Sequence, residues 1–166
     1  MNDWTEPPTA QRIYDAVHRH TNGALVPEVV LGVPEYMGNE GDPHMKPYRR
    51  IDALMFETLT RTAVEIKISM ADLRRETPYK WGPWRNVTHR FIYAIPYGLC
   101  DWQEVIDATG NYWAGVWGVH EDGRVEVLRR AKVHKHPEPL PQQVVQAMAY
   151  RIHAHHRTPL DQPNPD

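Results

Sequence analysis

The fold is decided by RIDALMF (residues 50–56) and TAVEIKI (residues 62–68), two segments separated by the polar turn ETLTR (residues 57–61). Both segments are short and rich in apolar and β-branched residues, which is typical of strands. Their spacing predicts a hairpin. Because successive side chains of a strand point to opposite faces, Glu65 and Lys67 are expected on one face and Ile66 on the other.

Helices and further strands are predicted on both sides of this hairpin. Apolar periodicity and capping residues indicate helices at residues 9–20, from residue 69 to a point before Pro78, at 101–109 and at 142–156, where positions 145, 148, 149 and 152 share one face. Strands are expected at residues 24–31, 90–95, 112–119 and 125–128, and loops at 32–47 and 79–84. This order of elements predicts an α/β or α+β fold whose sheet is covered by helices.

Length and composition indicate one domain. The chain has 166 residues, of which 41% are hydrophobic, and we expect a domain at residues 1–157 followed by a disordered tail at 158–166. The single cysteine excludes an internal disulfide framework. No apolar run approaches the ~20 residues of a membrane span, and the N-terminus lacks a signal-peptide core. The expected protein is cytoplasmic and has no membrane partner.

The charge of the chain is unevenly distributed. Its net charge is -2, but ten Lys and Arg stand against five Asp and Glu between His44 and Arg90, so this window carries +5 and the remainder -7. A basic window in a slightly acidic protein is compatible with a surface that binds a polyanion. It is also compatible with an ordinary solvated face, and charge alone does not decide between the two.

The candidate chemistry lies on the predicted hairpin. If Asp52 stands opposite Glu65 and Lys67, two carboxylates and one ammonium converge on one face. The carboxylates, with the backbone carbonyl of Ile66, form an oxygen-rich site suited to Mg²⁺ or Mn²⁺. Lys67 could then orient or help to deprotonate an attacking water, or stabilise charge on a phosphate oxygen. The alternative is a surface Glu–Lys pair that follows an unrelated aspartate by chance.

Basic and aromatic residues surround this candidate site in the sequence. Trp81 and Trp84, which alternate with basic residues, could stack on bases, although packing in the core is at least as good an interpretation. The candidate contacts to nucleic acid are Arg49, Arg50, Arg74, Arg75, Lys80, Trp81 and Arg85.

These segments resemble a known family. RRID (residues 49–52), VEIKIS (64–69), DLR (72–74), KW (80–81) and FIYAIP (91–96) are similar, in this order, to the PD-(D/E)XK nuclease superfamily, and most of all to its MmcB-like group of small bacterial DNA-repair proteins. The likeness covers most of the chain. It departs from the superfamily pattern in having Ile51 before Asp52, where proline is common, and in a long Gly/Pro-rich segment at residues 32–47.

The resemblance implies a restriction-endonuclease-like fold, with a central mixed β-sheet flanked by helices, and a metal-dependent deoxyribonuclease. Asp52 and Glu65 would be metal ligands and Lys67 the catalytic lysine, while Glu28 matches a position where this group carries an additional acid. The implied setting is DNA repair or processing, or a phage. Cutting both strands commonly needs two sites, so a homodimer is one assembly to consider.

Two other function classes remain open. One is a non-catalytic nucleic-acid-binding scaffold that keeps the nuclease fold, because function depends on the assembled site rather than on the fold. The other is a nuclease-fold protein that acts on a host or phage protein through its aromatic loops. The presence of Asp52, Glu65 and Lys67 together favours the nuclease.

Overall fold

A computed structural model describes residues 4–32 and 48–156 and contains a six-stranded mixed sheet. The strands lie in the order β1-β2-β3-β4-β5-β6; β3–β4 and β4–β5 are parallel and the other neighbours antiparallel. The elements are α1 (Ala10–His20), β1 (Ala24–Gly32), β2 (Tyr48–Glu57), β3 (Thr60–Ile66), α2 (Met70–Leu73), α3 (Pro78–Val87), β4 (Arg90–Pro96), α4 (Trp102–Thr109), β5 (Gly115–Val119), β6 (Val125–Arg129) and α5 (Gln142–His156).

The predicted hairpin is confirmed. β2 and β3 are antiparallel, and Ala53 pairs with Val64 in their register. One step further along this register places Asp52 opposite Glu65. Strand β3 ends at Ile66 rather than at residue 68, although the N–H of Lys67 still donates to the carbonyl of Ala94 on β4 at 3.0 Å. The hairpin therefore brings the two acids together as expected.

Helices cover both faces of the sheet, so the protein is α+β with a mixed sheet flanked by helices. On one face α1 buries Ile13 and Val17 against Val64 and Ile66 of β3. On the other face α3, α4 and α5 contribute a second apolar cluster. It includes Leu54, Ala63, Trp84, Val87, Tyr93, Val105, Ile106, Val144 and Met148.

Local capping signals explain where several helices begin. The hydroxyl of Thr9 accepts a hydrogen bond from the N–H of Arg12, as expected at the start of α1. Ser69 caps α2 in the same way by accepting from the N–H of Asp72 at 3.2 Å. Only three residues separate β3 from α2. The cap therefore helps to position Asp72 of α2, and Glu76 after it, near the end of β3.

The prediction of a loop at residues 79–84 was wrong, because α3 covers this segment. Pro78 occupies the first turn of α3, where its missing N–H costs nothing. Pro83 lies inside the helix, so the carbonyl of Tyr79, four residues earlier, loses its helical donor. Arg49 replaces that donor, since its Nε donates to the Tyr79 carbonyl at 2.7 Å. The contact from Arg49 on β2 thus compensates for the Gly82-Pro83 step, which disfavours a helix.

Helix α5 has its predicted bounds, but of the four residues predicted to share its apolar face only Met148 is buried. Val144 and Met148 are buried, whereas Val145 and Ile152 are about half exposed. Arg151 lies one turn beyond Met148, and its guanidinium donates to the carbonyls of Pro27 and Glu28 on β1. This contact links the C-terminal part of α5 to strand β1.

The predicted loop at residues 32–47 and the predicted tail at 158–166 lie outside the described residues, except for Gly32, which is the last residue of β1 and not part of a loop. Pro27 lies on β1, an edge strand of the described sheet, which agrees with its lack of a backbone donor. Within residues 4–32 and 48–156, no helix is both long and apolar enough to span a bilayer.

Candidate active site

Asp52 and Glu65 face each other where β2 and β3 separate. Asp52 Oδ2 accepts a hydrogen bond from the backbone N–H of Ile66 at 2.8 Å. This bond replaces the ladder contact that β2 would otherwise make there, and it holds the aspartate beside the Ile66 peptide. The carboxylate of Glu65 lies on the same face, because directly opposed residues of two strands point the same way.

Lys67 lies beside this acidic pair and is only 5% exposed. Its Nζ is 2.9 Å from Glu65 Oε1 and 2.8 Å from Glu76 Oε1. Asp72 Oδ1 is farther away, at 4.0 Å. A buried ammonium requires such partners, because an unpaired charge in an apolar interior is very costly.

Glu76 is the residue of this site that the sequence prediction missed. It follows α2, and its side chain is 2% exposed and enclosed by Lys67 and Lys80, whose Nζ lies 3.8 Å from Glu76 Oε1. A signal was present, since Asp72 and Glu76 are four residues apart just after the Glu65–Lys67 strand. In the sequence alone, Glu76 is one of five acids within the basic window between His44 and Arg90.

The cluster shifts the protonation of its members. Burial raises the pKa of Asp52, although the Ile66 N–H and Lys67 oppose the change. Burial and the neighbouring Asp52 raise the pKa of Glu65 to about 7. Burial alone would lower the pKa of Lys67, but Glu65 and Glu76 outweigh it and hold this pKa above its usual value. Lys67 is therefore charged near neutral pH.

The donor set fits a hard divalent cation that keeps most of its water. Within the described ranges, no three His, Cys, Asp or Glu side chains form a group that could enclose a metal. Mg²⁺ commonly needs only one or two carboxylates together with water and substrate oxygens. Asp52 and Glu65 supply two adjacent, partly buried carboxylates whose mutual repulsion a cation would relieve, and the Ile66 carbonyl is the third candidate oxygen.

Glu28 stands apart from the buried cluster. Its position in the β1–β2 register is opposite Asp52, between the Pro27–Ala53 and Val29–Ile51 pairs. The residue adopts a φ of 49°, and its side chain is 67% exposed. Glu28 Oε1 is 3.4 Å from Arg50 Nη1. The structure therefore brings Glu28 near the candidate site but pairs its carboxylate with an arginine.

The predicted nucleic-acid contacts divide into two groups. Arg50, Arg74, Arg75 and Lys80 are exposed; Arg50 pairs with Glu28, and Lys80 Nζ lies 3.8 Å from Glu76 Oε1. Arg49 and Arg85 are half-buried and lie along α3, where Arg49 donates to the Tyr79 carbonyl.

The two tryptophans of α3 contribute mainly to packing. Trp84 is completely buried. Trp81 packs against the same apolar cluster, and its Nε1 donates to the carbonyl of Thr109 at 3.1 Å. Base stacking by Trp81 would use only the part of its ring that remains exposed.

Comparisons with protein-family models, curated proteins and solved structures find no match to this chain.

Proposed function

We propose that this protein is a divalent-metal-dependent nuclease that hydrolyses phosphodiester bonds in DNA, with a restriction-endonuclease-like fold of the PD-(D/E)XK superfamily and its MmcB-like group. The observation that carries the proposal is the placement of Asp52 opposite Glu65 with Lys67 2.9 Å from Glu65. Two carboxylates and a charged amine at the end of a β-hairpin suit phosphoryl transfer chemistry.

In this proposal Asp52, Glu65 and the Ile66 carbonyl hold Mg²⁺ or Mn²⁺. When bound, the cation neutralises phosphate charge and lowers the pKa of a coordinated water. The chain's own contribution begins with the Ile66 N–H, which holds Asp52 Oδ2 and leaves the other oxygen of that carboxylate for a ligand. Without a bound cation the pKa of the Glu65 carboxyl is about 7, so its ionised, cation-binding form becomes available near neutral pH.

Lys67 acts as a charged donor rather than as a base. Two carboxylate oxygens lie within 3 Å of its Nζ and hold its proton. Abstraction of a proton from water requires a neutral amine, and the raised pKa opposes that form. Orientation of water and stabilisation of negative charge on a phosphate oxygen are therefore the roles that fit Lys67.

The surface around the cluster supports DNA as the substrate. Arg50 and Lys80 are exposed cations beside the acidic cluster, and Arg74 and Arg75 are exposed in the segment between α2 and Glu76. Such residues position a phosphate backbone without reading sequence. A cytoplasmic role in DNA repair, DNA processing or a phage setting, and a homodimer that cuts both strands, are part of the same proposal.

A non-catalytic nucleic-acid-binding scaffold is the second candidate. It is favoured by the closed ion pairing of Lys67, whose ammonium is buried and already satisfied by Glu65 and Glu76. A catalytic lysine must turn one donor toward substrate, whereas a structural lysine need not.

The deciding experiment compares cleavage of labelled single-stranded, duplex and branched DNA in Mg²⁺, Mn²⁺ or EDTA. The variants are Asp52→Asn, which keeps an oxygen for the Ile66 N–H, and Lys67→Met. Asp107→Asn on the exposed side of α4 is the matched control. Metal-dependent cutting by the wild type and the control, reduced more than about 100-fold in both site variants, supports the nuclease. DNA binding by all four proteins without cutting supports the scaffold.

A further inference from the structure

A cavity of about 290 Å³ lies along α3, outside the acidic cluster. Arg49, Tyr79, Pro83, Arg85 and Asn86 contribute to its lining, and within residues 4–32 and 48–156 no acidic residue does. The two guanidinium groups and the amide of Asn86 can donate hydrogen bonds, and the ring of Tyr79 offers a flat surface for stacking. This chemistry suits an anionic ligand with an aromatic ring, as in a nucleotide.

Arg85 connects this cavity with an exposed tryptophan. Its guanidinium carbon lies 3.9 Å from the centroid of the Trp113 ring, in a cation–π contact. Arg85 Nε is buried and has no hydrogen-bond partner within the described residues. Burial lowers the pKa of Arg85. Among residues 4–32 and 48–156, no carboxylate forms an ion pair with Arg85, so an anionic ligand would supply the missing counter-charge.

Exposed rings and cations continue beyond Arg85. Lys132 Nζ is 5.4 Å from the Trp113 ring centroid, Trp113 is 38% exposed, and the neighbouring Tyr112 is 59% exposed. Arg129 fixes the backbone of this segment by donating to the carbonyls of Tyr112 and Ala114. We call Arg85, Tyr112, Trp113 and Lys132 the aromatic–basic strip. It is held in place before any ligand binds.

The cavity also adjoins the candidate active site. Tyr79 lines the cavity, while its neighbour Lys80 in the first turn of α3 approaches Glu76. Arg49 lies three residues before Asp52 on β2. A chain of nucleotides that occupies the cavity can therefore continue toward the acidic cluster.

We propose, on the basis of the proposed function, that the cavity and the aromatic–basic strip bind single-stranded nucleic acid. Phosphates contact Arg85 and Lys132, and bases stack against Tyr79, Tyr112 and Trp113. Stacking of this kind needs unpaired bases, because the base faces of a duplex are covered by their neighbours. The substrate class is thus a single strand, or the single-stranded arm of a branched molecule.

The test measures binding by fluorescence anisotropy in EDTA, where no cutting interferes. The probes are labelled oligothymidine, labelled oligouridine, and the duplex of oligothymidine with oligoadenine. The proteins are the wild type, Arg85→Ala, Trp113→Ala and Trp113→Phe. Arg12→Ala is the matched control, because Arg12 stacks on Trp4 at 4.7 Å but belongs to α1 on the other face of the sheet. Circular dichroism verifies the fold of each variant.

We expect the wild type to bind a single strand more tightly than the duplex. Trp113→Ala should weaken single-strand binding about fivefold to 150-fold, the range for loss of one base–aromatic stack. Trp113→Phe should recover most of the affinity, and Arg12→Ala should bind like the wild type. If Arg85→Ala fails to fold, the Trp113 variants alone decide. The proposal holds for RNA also if oligouridine behaves like oligothymidine, and for DNA alone if it does not bind.

Equal or tighter binding of the duplex would overturn the inference, as would equal single-strand affinity of Trp113→Ala and Arg12→Ala. Cleavage in Mg²⁺ tests the nuclease separately. If cutting depends on Lys67 but both Trp113 variants keep the wild-type KM, the nuclease proposal stands and the proposed role of the aromatic–basic strip is wrong. If Trp113→Ala loses single-strand binding but the wild type cuts no substrate, the aromatic–basic strip stands as a binding surface and the nuclease proposal is wrong.

Discussion

Lys67 and Glu76 form a buried ion pair, with 2.8 Å between Nζ and Oε1, that joins the end of β3 to the turn after α2. Both side chains are less than a tenth exposed. The pair keeps the ammonium of Lys67 charged and directed at the acidic face of the hairpin. Glu76 is therefore a positioning residue for Lys67 in the proposed mechanism.

Replacing Glu76 should destabilise the protein more than replacing an ordinary surface glutamate. Glu76→Ala leaves Lys67 with fewer partners in a buried site, so we expect a loss of about 3–5 kcal/mol in the free energy of unfolding, as for other broken buried pairs. Urea denaturation measures this loss. The exposed Glu57→Ala should change stability by less than about 0.5 kcal/mol. Similar values for the two variants would show that the pair contributes little.

The raised pKa of Glu65 predicts a pH-dependent stability in EDTA. The pKa of this carboxyl is 4.5 when unperturbed and about 7 in the folded protein, so folding favours its protonated form. The stability that it contributes is complete below pH 4.5 and decreases as pH rises toward 7. Wild type should lose up to about 3 kcal/mol across this range relative to Glu65→Gln.

Denaturation curves at several pH values, compared between wild type and Glu65→Gln, give this difference. Asp52 titrates in the same direction, but it is present in both proteins and its contribution largely cancels. Added Mg²⁺ should flatten the wild-type profile if a cation binds the ionised carboxylates. Parallel profiles for the two proteins in EDTA would refute the altered pKa of Glu65.

The hairpin and its acids could be predicted because their signal is local. Alternation along residues 62–68 places Glu65 and Lys67 on one face, and the short turn fixes the register with Asp52. Strand β4 and helix α4 could be predicted for the same reason. An apolar run that ends at a proline indicates the strand, and Asp101 and Gly110 are typical residues for the start and end of the helix.

The remaining features depend on contacts between distant segments. Pro83 leaves the carbonyl of Tyr79 without its helical donor, and Arg49, which donates to it, is 30 positions away in the chain. Arg151 of α5 donates to the carbonyls of Pro27 and Glu28 on β1, a contact between segments more than 120 residues apart. Glu76 becomes part of the site only because α2 turns back over the end of β3. Apolar periodicity carries no information on such polar contacts.

The contact between Arg49 and Tyr79 predicts energetic coupling with Pro83. Arg49→Ala should cost about 1 kcal/mol in the free energy of unfolding, because the Tyr79 carbonyl loses its donor. In a Pro83→Ala background the backbone N–H of residue 83 can serve that carbonyl, so the same change should cost much less. A double-mutant cycle by urea denaturation measures the difference. Equal costs in both backgrounds would show that the stability contributed by Arg49 does not depend on the carbonyl that Pro83 leaves without a donor.

The left-handed backbone of Glu28 gives a last prediction, which separates strain from charge. At a φ of 49° a side chain costs about 1 kcal/mol that glycine does not. Glu28→Ala and Glu28→Gly both remove the carboxylate that pairs with Arg50, but only glycine relieves the backbone. Thermal or urea unfolding should therefore find Glu28→Gly more stable than Glu28→Ala by about 1 kcal/mol. Strain at a residue opposite Asp52 is typical of a functional position. Equal stability of Glu28→Ala and Glu28→Gly would show that the backbone of β1 stores no strain at residue 28.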